Sequence, residues 1–242
     1  MKKYLVLLWL LLPLPVVVLH FGRGQQWLAL DRASALMREG QTAEQAEDWM
    51  AADRLYREAA AAVPAEKRDL RLRLDLAQIR TRHRTGDALG AIDLSEKLLN
   101  DSALPAMPTA FQDEAREVAG RIHYYAAWVM RLEGAGRELW MEEAESARQN
   151  FRLLAETGSS GVEAAAGTRQ ENLESAVQLQ RLSLTELMAR PLPREGQCMS
   201  GQGLSEQMAR RRGQRGKKPG PDNDGPPSKG AGMKRFEPGQ GS

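Results

Sequence analysis

Between residues 25 and 190 the chain has only three prolines, Pro64, Pro105 and Pro108. A segment of that length with so few breakers, rich in Ala, Leu, Glu, Arg and Gln, is built from strong helix formers. Its apolar residues recur at steps of three and four. Leu72, Leu76, Ile79 and His83 follow one another this way, and Phe151, Leu154 and Ala155 continue a face that begins at Leu139, Trp140 and Ala144. No run alternates with period two, so the segment reads as all-α.

Breaks are expected after Pro64, at Thr85-Gly86, between Asn100 and Pro108, at Gly134–Gly136 and at Gly158–Gly161. They leave seven helices, at 25–46, 48–63, 66–84, 87–99, 109–133, 137–157 and 162–189. Short connections imply antiparallel neighbours. Four strings fit the capping-box pattern, starting at Thr42, Thr109, Ser160 and Thr168.

The flanks are of another kind. Residues 4–19 carry no charge, His20 and Phe21 extend the run to 18, and Lys2 and Lys3 precede it. A positive start followed by an apolar stretch is the pattern of a signal or a signal anchor. The stretch is long for a cleaved signal, lacks an Ala-x-Ala site and approaches the length of a spanning helix. The expectation is a single-pass anchor over 1–21, with a secreted protein released by cleavage as the alternative. The lysines at the apolar edge place the N-terminus inside and the helical body outside the cytoplasm.

Residues 191–242 hold 11 of the 22 glycines and 7 of the 12 prolines. With few large apolar side chains they cannot offset the backbone ordering cost of about 1–2 kcal/mol per residue. This part reads as a disordered tail, with a possible short helix over 203–212.

The net charge of +2 is the sum of unlike parts. The anchor carries +2, the body over 22–190 carries −5, and the tail carries +5. In the tail, Arg210, Arg211, Arg212, Arg215, Lys217 and Lys218 crowd six bases into nine residues. Such a run suits an anionic lipid surface or an acidic partner, and the tail could also fold back on the acidic body. A tail facing the cytoplasm could instead bind nucleic acid, a reading that an exported body disfavours.

The spacing of Asp48-Trp49, Ala52, Tyr56, Ala59 and Pro64, with Gly40 and Leu36 upstream, resembles a tetratricopeptide repeat. Thr85-Gly86-Asp87 and Ala91 look like the turn and small residue of a second unit. That unit departs at Ser95 and Leu98, and its first helix is seven residues longer, nearly two turns. A third pair over 109–157 keeps Ala147 and Phe151 but not the turn. The resemblance implies a stack of antiparallel helix pairs that binds other proteins. It also implies that the first helix of the second unit lines a peptide groove, through Arg73, Leu76, Arg80, His83 and Arg84. Arginine pairs well with carboxylates, so Arg73, Arg80, His83 and Arg84 are the candidate partner-binding residues. The layout is also similar to anchored repeat proteins encoded beside von Willebrand-type membrane proteins in bacterial aerotolerance-type operons.

No catalytic constellation is apparent. The three histidines, His20, His83 and His123, fall in no metal-binding spacing, and the lone Cys198 excludes an intrachain disulfide and any zinc site of several thiolates. No metal, cofactor or small-molecule substrate is expected, and a binding protein is favoured over an enzyme. His123, Tyr124, Tyr125 and Trp128 form an aromatic cluster, expected in the core, with a ligand patch as the alternative.

Overall fold

A computed structural model of the chain describes residues 25–157, 163–189 and 203–215. Among the described residues there are nine α-helices, one 3-10 turn and no strand. The helices are α1 (Gln25–Gln45), α2 (Trp49–Ala62), α3 (Arg68–Thr85), α4 (Ala88–Leu99), α5 (Thr109–Leu132), α6 (Arg137–Thr157), α7 (Glu163–Arg181), α8 (Leu184–Met188) and α9 (Leu204–Arg215). The expected all-α class is what the chain adopts. No described helix is long and apolar enough to cross a membrane. The expected anchor at 1–21 lies outside the described residues.

Each helix from α1 to α7 packs chiefly on its neighbours in chain order. The turns have local causes. Asp48 caps α2 by accepting from the Ala51 N–H at 3.0 Å, and Asp87 caps α4 by accepting from the Gly90 N–H at 2.9 Å. Between them, Gly86 ends α3 in the left-handed region at φ 95°, a conformation that suits glycine.

The expected capping boxes fare differently. Thr42 and Thr168 lie inside helices, Thr109 is the first residue of α5 with Pro108 at the cap and no side-chain cap bond, and Ser160 is outside the described residues. Thr42 turns its hydroxyl back to the Arg38 carbonyl at 3.1 Å. The capping box that does form is Ser183 with Glu186, at the start of α8. It interrupts the single helix expected over 162–189.

Two of the helix pairs share a packing device. Gly40 of α1 faces the Tyr56 ring of α2, so close that a Cβ there would lie 2.6 Å from Tyr56 Cε1. Gly120 of α5 faces Phe151 of α6, where a Cβ would lie 2.7 Å from Phe151 Cε1. Ala52 and Ala147, each four residues before the aromatic ring, are fully buried. Gly40 is five residues before the end of α1, and Gly120 is twelve before the end of α5. Tyr56 is seven residues after the start of α2, and Phe151 is fourteen after the start of α6. The second hairpin is therefore longer by seven residues in each arm. Seven residues advance a helix by nearly two turns, so both inward faces are kept. In the α3–α4 pair Ser95 holds the second position and Ile79, sixteen residues before it as Gly40 is before Tyr56, holds the first; both are buried, with the large residue now on the first helix.

The largest core cluster gathers Leu72, Leu76, Ile79, Ile92, Ile122, Trp128 and Met130 from α3, α4 and α5. A second surrounds Ala52, Tyr56 and Ala59, and a third surrounds Phe151 and Leu154. Two residues near the end of α5 secure later helices. Arg131, stacked 4.5 Å from the Trp140 ring, donates to the Leu179 carbonyl at 2.5 Å and to the Leu182 carbonyl at 2.6 Å. A cation placed on the last carbonyls of α7 suits the negative end of that helix. Glu133 accepts from the backbone N–H groups of Gly203, Leu204 and Ser205 at 3.1, 3.2 and 2.7 Å. It thereby caps α9.

The described part of the tail is thus the short helix expected over 203–212, extended to Arg215. Residues 204–215 form a helix seated on α4, α5 and α6, with Leu204 and Met208 buried. The rest of 191–242 lies outside the described residues, apart from Gly203.

Candidate functional site: a cationic cleft at the end of α3

The last turns of α3 place Arg80, His83 and Arg84 on one face, at helical steps of three and four. The chain folds so that α1, α2 and α5 approach this face. The result is a cleft of about 140 Å³ lined by Glu44, Trp49, Arg80, His83, Arg84 and residues 118, 121 and 122 of α5. Three of the four expected partner-binding residues therefore meet in one place. Arg73 does not. It stands about two turns earlier on α3, with its guanidinium 5.7 Å from the Phe111 ring.

The three arginines differ in how far their charge is already met. Arg80 lies between two carboxylates, 2.5 Å from Glu114 and 3.3 Å from Glu44. Its Nε is buried and off the hydrogen-bond direction, so that N–H makes no hydrogen bond. Arg121 pairs with Glu117 at 2.6 Å. Arg84 has no carboxylate partner among the described residues, and its guanidinium sits 5.0 Å over the Trp49 ring. A guanidinium on an aromatic face is held flat, with its N–H edge turned outward.

His83 is buried against the edge of Tyr125, with ring centroids 5.3 Å apart, and its Nδ1 has no hydrogen-bond partner. Burial, reinforced by the charges of Arg84 and Arg121, lowers its pKa from 6.5 to about 4. The imidazole is therefore neutral at physiological pH. Glu44 is fixed from behind by the Tyr56 hydroxyl, which donates to it at 2.7 Å.

The expected aromatic cluster is divided. Tyr125 and Trp128 are core residues, Tyr124 packs edge-on to Trp128 at 5.7 Å, and His123 pairs with Glu143 through Nδ1 at 2.5 Å, both side chains buried. Among the described residues no group of three or more His, Cys, Asp or Glu side chains gathers as a metal site.

In the tail, Arg210 pairs with Glu206 on the outer face of α9 at 2.5 Å. Arg211 turns inward to Asp93 and to Glu96, the latter at 3.0 Å, and Arg212 lies 3.7 Å from Glu142. Arg211, expected to be free for an anionic surface, is thus held against the acidic body. Arg215 ends α9, and Lys217 and Lys218 lie outside the described residues.

Sequence reasoning missed Glu44, Trp49 and Arg121. Trp49 was visible only as a residue of a repeat-like string, and Arg121 carries no local signal. Comparisons with protein-family models, with curated proteins and with solved structures find no match.

Proposed function

We propose that this chain is a membrane-anchored helical scaffold that binds other proteins, in the manner of a tetratricopeptide stack, within a membrane or envelope complex. The segment over 1–21 serves as the single-pass anchor, and the body stands outside the cytoplasm. The cleft at the end of α3 takes an acidic side chain or segment of the partner. One observation carries this reading: Arg84 lies on Trp49 at the cleft with no carboxylate partner among the described residues. A carboxylate that lands there gains a charge-assisted, two-pronged contact, and Trp49 supplies an apolar wall for the neighbouring residue. The recurrence of Gly40–Tyr56 as Gly120–Phe151 supports the repeat reading.

The test is binding of a fluorescein-labelled peptide of alternating Glu and Leu to the full chain, followed by anisotropy. Arg84→Ala should weaken binding by about tenfold, and Arg73→Ala should leave it within about twofold. Equal affinity for wild type and Arg84→Ala would remove the cleft from the binding surface. Protease protection of the body in sealed membranes, lost on lysis, checks the orientation. Recovery of a soluble chain with a new N-terminus near Gln25 would favour secretion instead.

A further inference from the structure

The surface under α9 is built to read a helix in three ways. Glu133 meets the N-terminus, accepting three backbone N–H groups. An apolar seat takes Leu204 and Met208, four residues apart and both buried. Asp93, Glu96 and Glu142 meet the basic last turns through Arg211 and Arg212. Leu204, Met208 and Arg211 recur at steps of four and three on one side, while Glu206 and Arg210 pair on the exposed side. A space of about 60 Å³ remains beneath Met208 and Arg211, beside Leu139 and Glu143.

The resident helix is lightly held. Over its twelve residues it buries only two large apolar side chains, Leu204 and Met208, and its remaining contacts are a cap and ion pairs at its two ends. Elements with few buried contacts open well before the fold as a whole.

We propose that this notch is a receptor for a basic amphipathic helix of a partner protein, and that α9 is its intramolecular competitor. The favoured occupant carries Leu, then Met four residues on, then Arg three residues further. This surface shares no lining residue with the cleft at α3, so the two readings stand or fall separately.

The test uses the full chain and a fluorescein-labelled peptide of residues 203–215 as the probe. Hydrogen exchange should find the α9 amides protected in wild type. Arg211→Glu should speed their exchange by about tenfold or more, and Glu96→Arg added to it should restore protection. The peptide should bind the Arg211→Glu chain at least about tenfold more tightly than wild type, whose notch is filled. Glu133→Gln, which alters the cap without reversing a charge, should open α9 in the same direction. Circular dichroism verifies that each variant is folded. Peptide binding equal in all chains, or absent from both open variants, overturns the proposal. So does α9 exchange in wild type as fast as in Arg211→Glu.

Discussion

The Tyr56 hydroxyl donates to Glu44 at 2.7 Å. The contact joins the interior of the first hairpin to the candidate cleft, because Glu44 also approaches Arg80. Burial and the Glu44 carboxylate push the Tyr56 phenol well above its usual range, so it remains a donor at any physiological pH.

Tyr56→Phe should destabilise the fold by about 1 kcal/mol, the net value of one hydrogen bond to a charged group that keeps some solvent. Gly40→Ala acts on the same ring from the other side. The added Cβ meets a ring fixed at its far end. Overpacking of about 1–3 kcal/mol should exceed the helix propensity gain of about 1 kcal/mol. Urea denaturation of Gly40→Ala, Tyr56→Leu and the double variant measures this. The double variant should be more stable than the sum of the single changes implies.

Glycines elsewhere should respond in opposite ways. Gly86 has open space around its Cβ position but a φ of 95°, so Gly86→Ala should lose about 1–2 kcal/mol through backbone strain alone. Gly167 lies inside α7, also in open space and without that constraint, so Gly167→Ala should gain about 1 kcal/mol. Thermal melts should show the first Tm falling and the second rising.

His83 should make stability fall on acidification. Its folded pKa is about 4, below the ordinary 6.5. Between those values the unfolded chain holds the extra proton, so its contribution is full above pH 6.5 and is lost as the pH falls towards 4. The loss should approach about 3 kcal/mol. Chemical denaturation of wild type and His83→Gln across pH 4–7.5 isolates it. The variant should have the shallower slope in that window.

Arg131 should be among the most sensitive positions. Arg131→Met keeps the stem over Trp140 but strips two carbonyls, Leu179 and Leu182, of their donors. A loss of about 2–4 kcal/mol is expected, with faster hydrogen exchange concentrated in the last turn of α7. Uniform exchange along the chain would mean that Arg131 does not act through the end of α7.

The helices were legible because their causes are local. Pro64, Gly86 with Asp87, and Gly134 mark turns where they stand, and the first six helices end within two residues of expectation. The capping pattern was less informative. Ser or Thr followed by Glu or Gln three residues on is common inside helical sequence, and Thr42 and Thr168 are such cases, while Thr109 falls one residue past the cap. Ser183 with Glu186 fits the same pattern and does form the box, although the residues before it are good helix formers that hide the break. Arg80, His83 and Arg84 were legible as one face of one helix. Their meeting with Trp49 and Arg121 was not, since it depends on how three other helices pack. That the basic tail could fold back on the acidic body was legible from charge; which acids Arg211 meets was not, its partners lying more than a hundred residues earlier in the chain.

The two extra turns in each arm of the α5–α6 hairpin have a reach as well as a register. They carry its bend about 10 Å further than a hairpin with arms as short as those of α1 and α2 would extend. Glu133 sits at that bend, and with it the cap of the tail helix. Growth of the hairpin and possession of a fastening point for the C-terminal segment are therefore one event. Trimming both arms by seven residues would preserve the packing of Gly120 on Phe151 and take the cap at Glu133 away from the tail helix, leaving it only its contacts with α4.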